Sequence, residues 1–254
     1  MSKAFLFDLD GVFYISNRLI EGGNETLAYL RSKHIPFRFV TNTTTFSRKK
    51  LWEKLSGLGL ELLETEIVSA NYSGVLYLKK QQAKSCKLIL EETAKEDYRS
   101  FNIEEKHPEY IVIGDIGNRW NYDLMNELMN DVLEGSQIIA LHKGRYFQTD
   151  EGLKIDAGAF VAGIEYVTKK KAVVIGKPVA SFFELAASEF ECLPHEITMV
   201  GDDLINDIYG AQQMGYRSIL VKTGKYREEI YKASSIRPDS LIPSIVDIIE
   251  ECKL

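Results

Sequence analysis

Short unbroken apolar runs recur along this chain, and between them lie segments whose apolar residues return every three or four positions. Strands buried on both faces read as continuous apolar runs, and helices packed on one face read with the longer period. Alternating the two predicts an α/β protein with a largely parallel sheet. The runs are Phe5 to Leu9, Phe37-Arg38-Phe39-Val40-Thr41, Ala172-Val173-Val174-Ile175, Ile197-Thr198-Met199-Val200 and Ser218-Ile219-Leu220-Val221. Helical segments are expected from Asn24 to Lys33 and after Ser47, where Leu51, Leu55 and Leu58 share one side. Ser181 and Glu184 read as a capping box before Phe183, Ala186, Ala187 and Phe190, and Ser240 to Glu251 reads as a closing helix.

The middle of the chain has its own α/β content. Strands are expected at Lys87–Leu90, Tyr110–Ile113 and Gln137–Ala140, with a capping box at Thr93 to Glu96 and an amphipathic helix from Tyr122 to Leu133. About 100 residues is enough for an independent core. The expected organisation is therefore a discontinuous core, 1–68 and 169–254, interrupted by an inserted domain over 69–168.

Composition narrows the function classes. No apolar run approaches the roughly 18–20 residues of a membrane span, and a net charge of −6 is no nucleic-acid footprint. The runs Arg48-Lys49-Lys50 and Lys169-Lys170-Lys171 read as solvated faces. Three separated cysteines, Cys86, Cys192 and Cys252, offer no disulfide framework. The opening residues read as a strand rather than a signal peptide. A cytoplasmic protein without nucleic-acid or membrane partners is expected.

Four strand ends carry polar residues, and in open α/β sheets ligands bind at the carboxyl ends of strands. Asp8-Leu9-Asp10-Gly11-Val12 places two carboxylates on one side of an extended chain. Thr41-Asn42-Thr43 supplies hydroxyl and amide donors, and Gly176-Lys177-Pro178 an ammonium. Gly201-Asp202-Asp203, with Asp207 four residues on, adds clustered oxygens that suit a hard cation.

This order of strand ends resembles the haloacid dehalogenase superfamily of phosphotransferases. Asp8 to Val12 is similar to its first motif, Thr41 to its second, Lys177 to its third, and Gly201-Asp202-Asp203 through Asp207 to its fourth. The strings Thr41-Asn42-Thr43-Thr44, Ala140 to Tyr146 and Val221 to Tyr226 strengthen the likeness; Phe13 departs from it, standing where an aliphatic residue is more usual. The resemblance implies a Rossmann-like parallel-sheet core with an inserted C2-type cap, and a phosphatase acting through an aspartyl-phosphate. Asp8 would be the nucleophile and Asp10 the general acid and base, while Thr41, Asn42 and Lys177 would hold the phosphate. Mg²⁺ would bind Asp8, Asp202 and the backbone carbonyl of Asp10. The expected partner is a small phosphorylated substrate such as a phosphoamino acid or pyrophosphate, chosen by cap residues near His142, Lys143 and Arg145, and a homodimer would fit. Two rivals share the fold. One is a binding module for a phosphorylated ligand; the other is a hydrolytic dehalogenase, which has little use for Asp10 or the second acidic group.

Overall fold

In the computed structural model, which describes residues 2–149 and 152–252, the run Ala4–Phe7 is a strand buried along its whole length. It lies inside a six-stranded sheet ordered Ser240–Ile242, Arg217–Val221, Ile197–Gly201, Ala4–Phe7, Phe37–Thr41 and Ile67–Ser69. The pairs from Ser240–Ile242 through Phe37–Thr41 are parallel. Their register sets Phe7 beside both Val200 and Phe39, so the residues that follow all emerge at one edge. That edge is where the acidic motifs lie.

Alternation along these strands builds two different core faces. Phe5, Phe7, Phe37 and Phe39 point one way and form an aromatic cluster with neighbouring ring centroids 5.4–6.5 Å apart. Phe13 joins it edge-on, 5.4 Å from Phe7 and 5.2 Å from Phe39, with no exposed surface. The unusual aromatic therefore pins the acidic loop to the core. On the opposite face Ala4, Leu6, Val40 and Met199 pack under Phe182 and Phe183 of the helix Ala180–Ala187.

The chain divides into two compact units, one made of residues 1–41, 51–68 and 177–254, the other of 42–50 and 69–176. The second has a parallel sheet ordered Val173–Val174, Gln137–Ala140, Tyr110–Ile113, Cys86–Ile89. Its two faces carry separate cores, Val75, Leu78, Tyr98 and Val112 in one and Ile111, Leu128, Val132 and Val161 in the other. A buried lysine interrupts the first strand of this sheet: Lys87 reaches Asp131 at 2.7 Å and also Glu127, both from the helix Tyr122–Glu134. A charge buried this deeply persists only when paired.

Several local expectations differ from the structure. Val173–Val174, grouped by sequence with the C-terminal strands, pairs with Ile139 and Ala140 in the second sheet. Apolar periodicity identifies a strand but not its sheet. The expected closing helix begins as the strand Ser240–Ile242, whose pairing with Ile219–Val221 overrides helical spacing; helix resumes at Ile248–Glu251. Ser181 lies inside its helix, which starts at Ala180 after Val179. Thr93 likewise lies within the turn Glu92–Lys95, where its hydroxyl donates to the Thr45 carbonyl instead of capping. Among the described residues no helix is long and apolar enough to cross a membrane.

Candidate active site

Asp8 is the first residue beyond the central strand, and its N–H still donates to the Val200 carbonyl at 2.9 Å, which fixes its position against the neighbouring strand. Asp202 is the first residue beyond Ile197–Gly201. Asp203 caps the helical turn 204–209, accepting from the N–H groups of Ile205 and Asn206 at 3.0 and 2.9 Å. That turn carries Asp207 back under the strand end, fully buried. Asp8, Asp202 and Asp207 each place a carboxylate oxygen within 4.8 Å of the others.

One buried cation enters this group. The Lys177 ammonium stands 2.8 Å from Asp8 Oδ1 and 2.7 Å from Asp207 Oδ1, and donates to the Val40 carbonyl at 3.1 Å. Burial alone would lower its pKa, but Asp207 and Asp8 outweigh that and hold it above the ordinary lysine value. The carboxylates show the opposite effect. Burial, then Asp8 and Asp207, pushes Asp202 up to about 8. Burial pushes Asp207 up to about 7, although Lys177 opposes it. Asp203 is half-buried, and Lys225 and its N–H donors hold it below the ordinary value.

The oxygens are not equally engaged. Asp207 Oδ1 faces Lys177 and its Oδ2 accepts from the Asp203 N–H at 3.1 Å. Asp202 Oδ2 accepts from the Lys225 N–H at 2.7 Å, while its Oδ1 is buried without a hydrogen-bond partner. Buried oxygens without donors are costly, and this one sits among carboxylates rather than donors. Two glycines leave the Asp202 carboxylate room. A Cβ on Gly11 would come 1.9 Å from Asp202 Oδ2 and one on Gly224 2.0 Å from the same atom, and both glycines have positive φ, +83° and +61°. Three buried carboxylates against one buried ammonium leave a charge deficit that a divalent cation would fill. The donor set fits a hard ion.

Among the sequence-predicted residues, Asp8, Lys177 and Asp202 come together here, and Thr41 is buried at the end of the strand beside them. Asn42 follows Thr41 directly but belongs to the second compact unit. The side chain of Asp10 stands outside the carboxylate cluster, exposed, on the wall of a cavity. Its neighbours still strip enough water to raise its pKa, and Asp8 raises it further. Asp207, which the sequence placed in the second acidic group, joins Asp8 and Asp202 in the cluster. Lys54 and Lys225 line the same cavity without having been singled out. Lys225 follows the strand Arg217–Val221, a position that marks strand-end residues; Lys54 lies on the helix Arg48–Gly57, where no local pattern marks it.

Comparison with known proteins finds relatives in both sequence and fold. A family model described as haloacid dehalogenase-like hydrolase matches residues 5–104, and a second, HAD-hydrolase-like, matches 174–248. The chain is 37% identical to haloacid dehalogenase-like hydrolase domain-containing protein 2 of Mus musculus, over 89% of this chain and 86% of that one. It is 31% identical to the phospholysine phosphohistidine inorganic pyrophosphate phosphatase of Danio rerio, over 96% and 91%. Its fold matches the p-nitrophenyl phosphatase from Archaeoglobus fulgidus with a TM-score of 0.90 at 26% identity, covering 98% of this chain and 99% of the other.

Proposed function

The chain belongs to the haloacid dehalogenase-like hydrolases and is a phosphatase of that superfamily; from that premise we propose that it hydrolyses small phosphorylated substrates through an aspartyl-phosphate on Asp8 with the help of Mg²⁺. The observation that carries the proposal is the convergence of Asp8, Asp202 and Asp207 around Lys177, with one Asp202 oxygen buried and unpartnered.

Asp8 attacks phosphorus through a carboxylate oxygen as the bond to the leaving oxygen breaks. Asp10 gives that oxygen a proton, and its raised pKa supports its holding one beforehand. In the second step Asp10 takes a proton from water as the water oxygen bonds to phosphorus and the Asp8–phosphorus bond breaks. Asp8 is thereby released unchanged. Lys177 neutralises charge on Asp8 and on the transferred group, and Thr41 orients its other oxygens. Asp207 keeps Lys177 extended toward Asp8.

Asp8, Asp202 and the Asp10 carbonyl would hold the cation, which when bound neutralises the charge that otherwise keeps an anionic phosphate from an anionic nucleophile. Two unit charges ~4 Å apart at an effective dielectric near 20 repel by about 4 kcal/mol, roughly three decades in rate. A dehalogenase would have no such need, and the acidic cluster supports the phosphatase reading over it. The pyrophosphate and phosphoamino-acid activities in a relative's name are extended here as candidate substrates. Odd, separated cysteines support a cytoplasmic setting.

The test is Asp8→Asn with 4-nitrophenyl phosphate as substrate. Turnover is expected to fall to the assay background while circular dichroism and cooperative melting persist. Retained turnover by the pure variant would remove Asp8 from the nucleophile's place.

A further inference from the structure

Asp10 and Asp202 line a cavity of about 350 Å³ whose walls also carry Tyr14, Ser16, Lys54 and Lys225. All six residues belong to the first compact unit. The two lysines come from unrelated elements, the helix Arg48–Gly57 and the loop after Arg217–Val221. The Lys54 ammonium lies over the Tyr14 ring, 5.5 Å from its centroid, which holds the charge near the wall. Lys225 is tethered by its N–H to Asp202, while its ammonium is 3.4 Å from Asp203 Oδ2 and its side chain is 62% exposed. Both lysines line the same cavity as the Asp10 carboxyl, so both face the space where a leaving group would receive its proton.

The transfer chemistry proposed above uses neither lysine. A leaving group without charge would gain little from two cations on the wall, whereas an anionic one would be drawn in and oriented. We infer that Lys54 and Lys225 select substrates whose leaving group carries its own negative charge, a carboxylate or a second phosphate, close to the scissile oxygen. This inference rests on the phosphatase reading.

Its test compares the phosphate ester of 3-hydroxypropionate with the corresponding uncharged amide, alike in shape and differing by one charge. Inorganic pyrophosphate is a third probe that tells whether a phosphate or a carboxylate is the preferred anion. Where turnover is slow, the same ratio is read from inhibition of 4-nitrophenyl phosphate hydrolysis. The wild-type protein should prefer the charged ester, and Lys54→Met and Lys225→Met should each lower that preference by about two- to fivefold, the scale of a partly exposed ion pair. Lys54→Arg and Lys225→Arg should keep it. The wild-type preference should also shrink in high salt, because screening shortens below the ~8 Å of physiological ionic strength. That last measurement needs no variant to fold. Equal use of ester and amide by the wild-type protein, or a preference untouched by both methionine variants, overturns the inference. Hydrolysis of the probes by Asp8→Asn would instead overturn the phosphatase mechanism, whatever the ratio.

Discussion

Asp8 and Asp10 are two residues apart, yet their surroundings differ. Asp8 is buried against Lys177, whereas the Asp10 carboxyl opens into the cavity with its pKa raised. In the proposed mechanism, environment would separate the nucleophile from the acid, as it does for other pairs of neighbouring carboxyl groups. Asp10→Asn removes the transferable proton but little of the shape. Its rate on alkyl phosphates, whose leaving oxygens need protonation, is expected to fall far more than on 4-nitrophenyl phosphate, whose leaving group departs readily. Steady-state rates on both esters check this; equal losses would mean that Asp10 is no general acid.

At the scale of the element, the turn 204–209 links capping to chemistry. Asp203 satisfies two N–H groups at its start, also accepts from the Asn206 side-chain amide, and so fixes where Asp207 meets Lys177. Loss of such a cap costs about 1 kcal/mol, and asparagine caps about as well as aspartate. Asp203→Ala should therefore lower stability by roughly that amount in urea unfolding and reduce kcat by loosening Lys177. Asp203→Asn should retain most of both. If the two variants lose stability equally, the charge of Asp203 matters and its capping does not.

For the whole molecule, the acidic cluster is expected to couple stability to pH and to a bound cation. Asp202 at about 8 and Asp207 at about 7 lie above the ordinary 3.8, so the folded chain favours their protonated forms. Stability from such groups is complete below about pH 4 and is lost as pH rises through 7 to 8. A bound cation favours the ionised carboxylates and opposes that loss. In chelator, the melting temperature should fall from about pH 5 to about pH 8 by this contribution, and millimolar Mg²⁺ should raise it more at the upper pH. Differential scanning calorimetry at both pH values checks it. A metal-induced shift independent of pH would argue against these carboxylates as the responsive groups.

The amino-acid sequence by itself determined the alternation of strands and helices and the polar residues at the strand ends. Both are written in short stretches: four apolar residues commit Ala4–Phe7 to a buried strand, and Asp8 follows because the run ends. Even Phe13 declared itself as unusual, although only packing against Phe7 and Phe39 gave the reason. Tertiary structure decided the rest. Val173–Val174 looked like any other buried run until its pairing with Ile139 and Ala140 placed it in the second sheet. Asp207 gained its place from Lys177, 30 residues away in the chain. Lys54 and Lys225 meet around one cavity across a far longer separation. Periodicity reports how a segment is buried because burial acts residue by residue along it. Which segments become neighbours depends on pairing and packing between distant parts of the chain, and no local pattern encodes those distances.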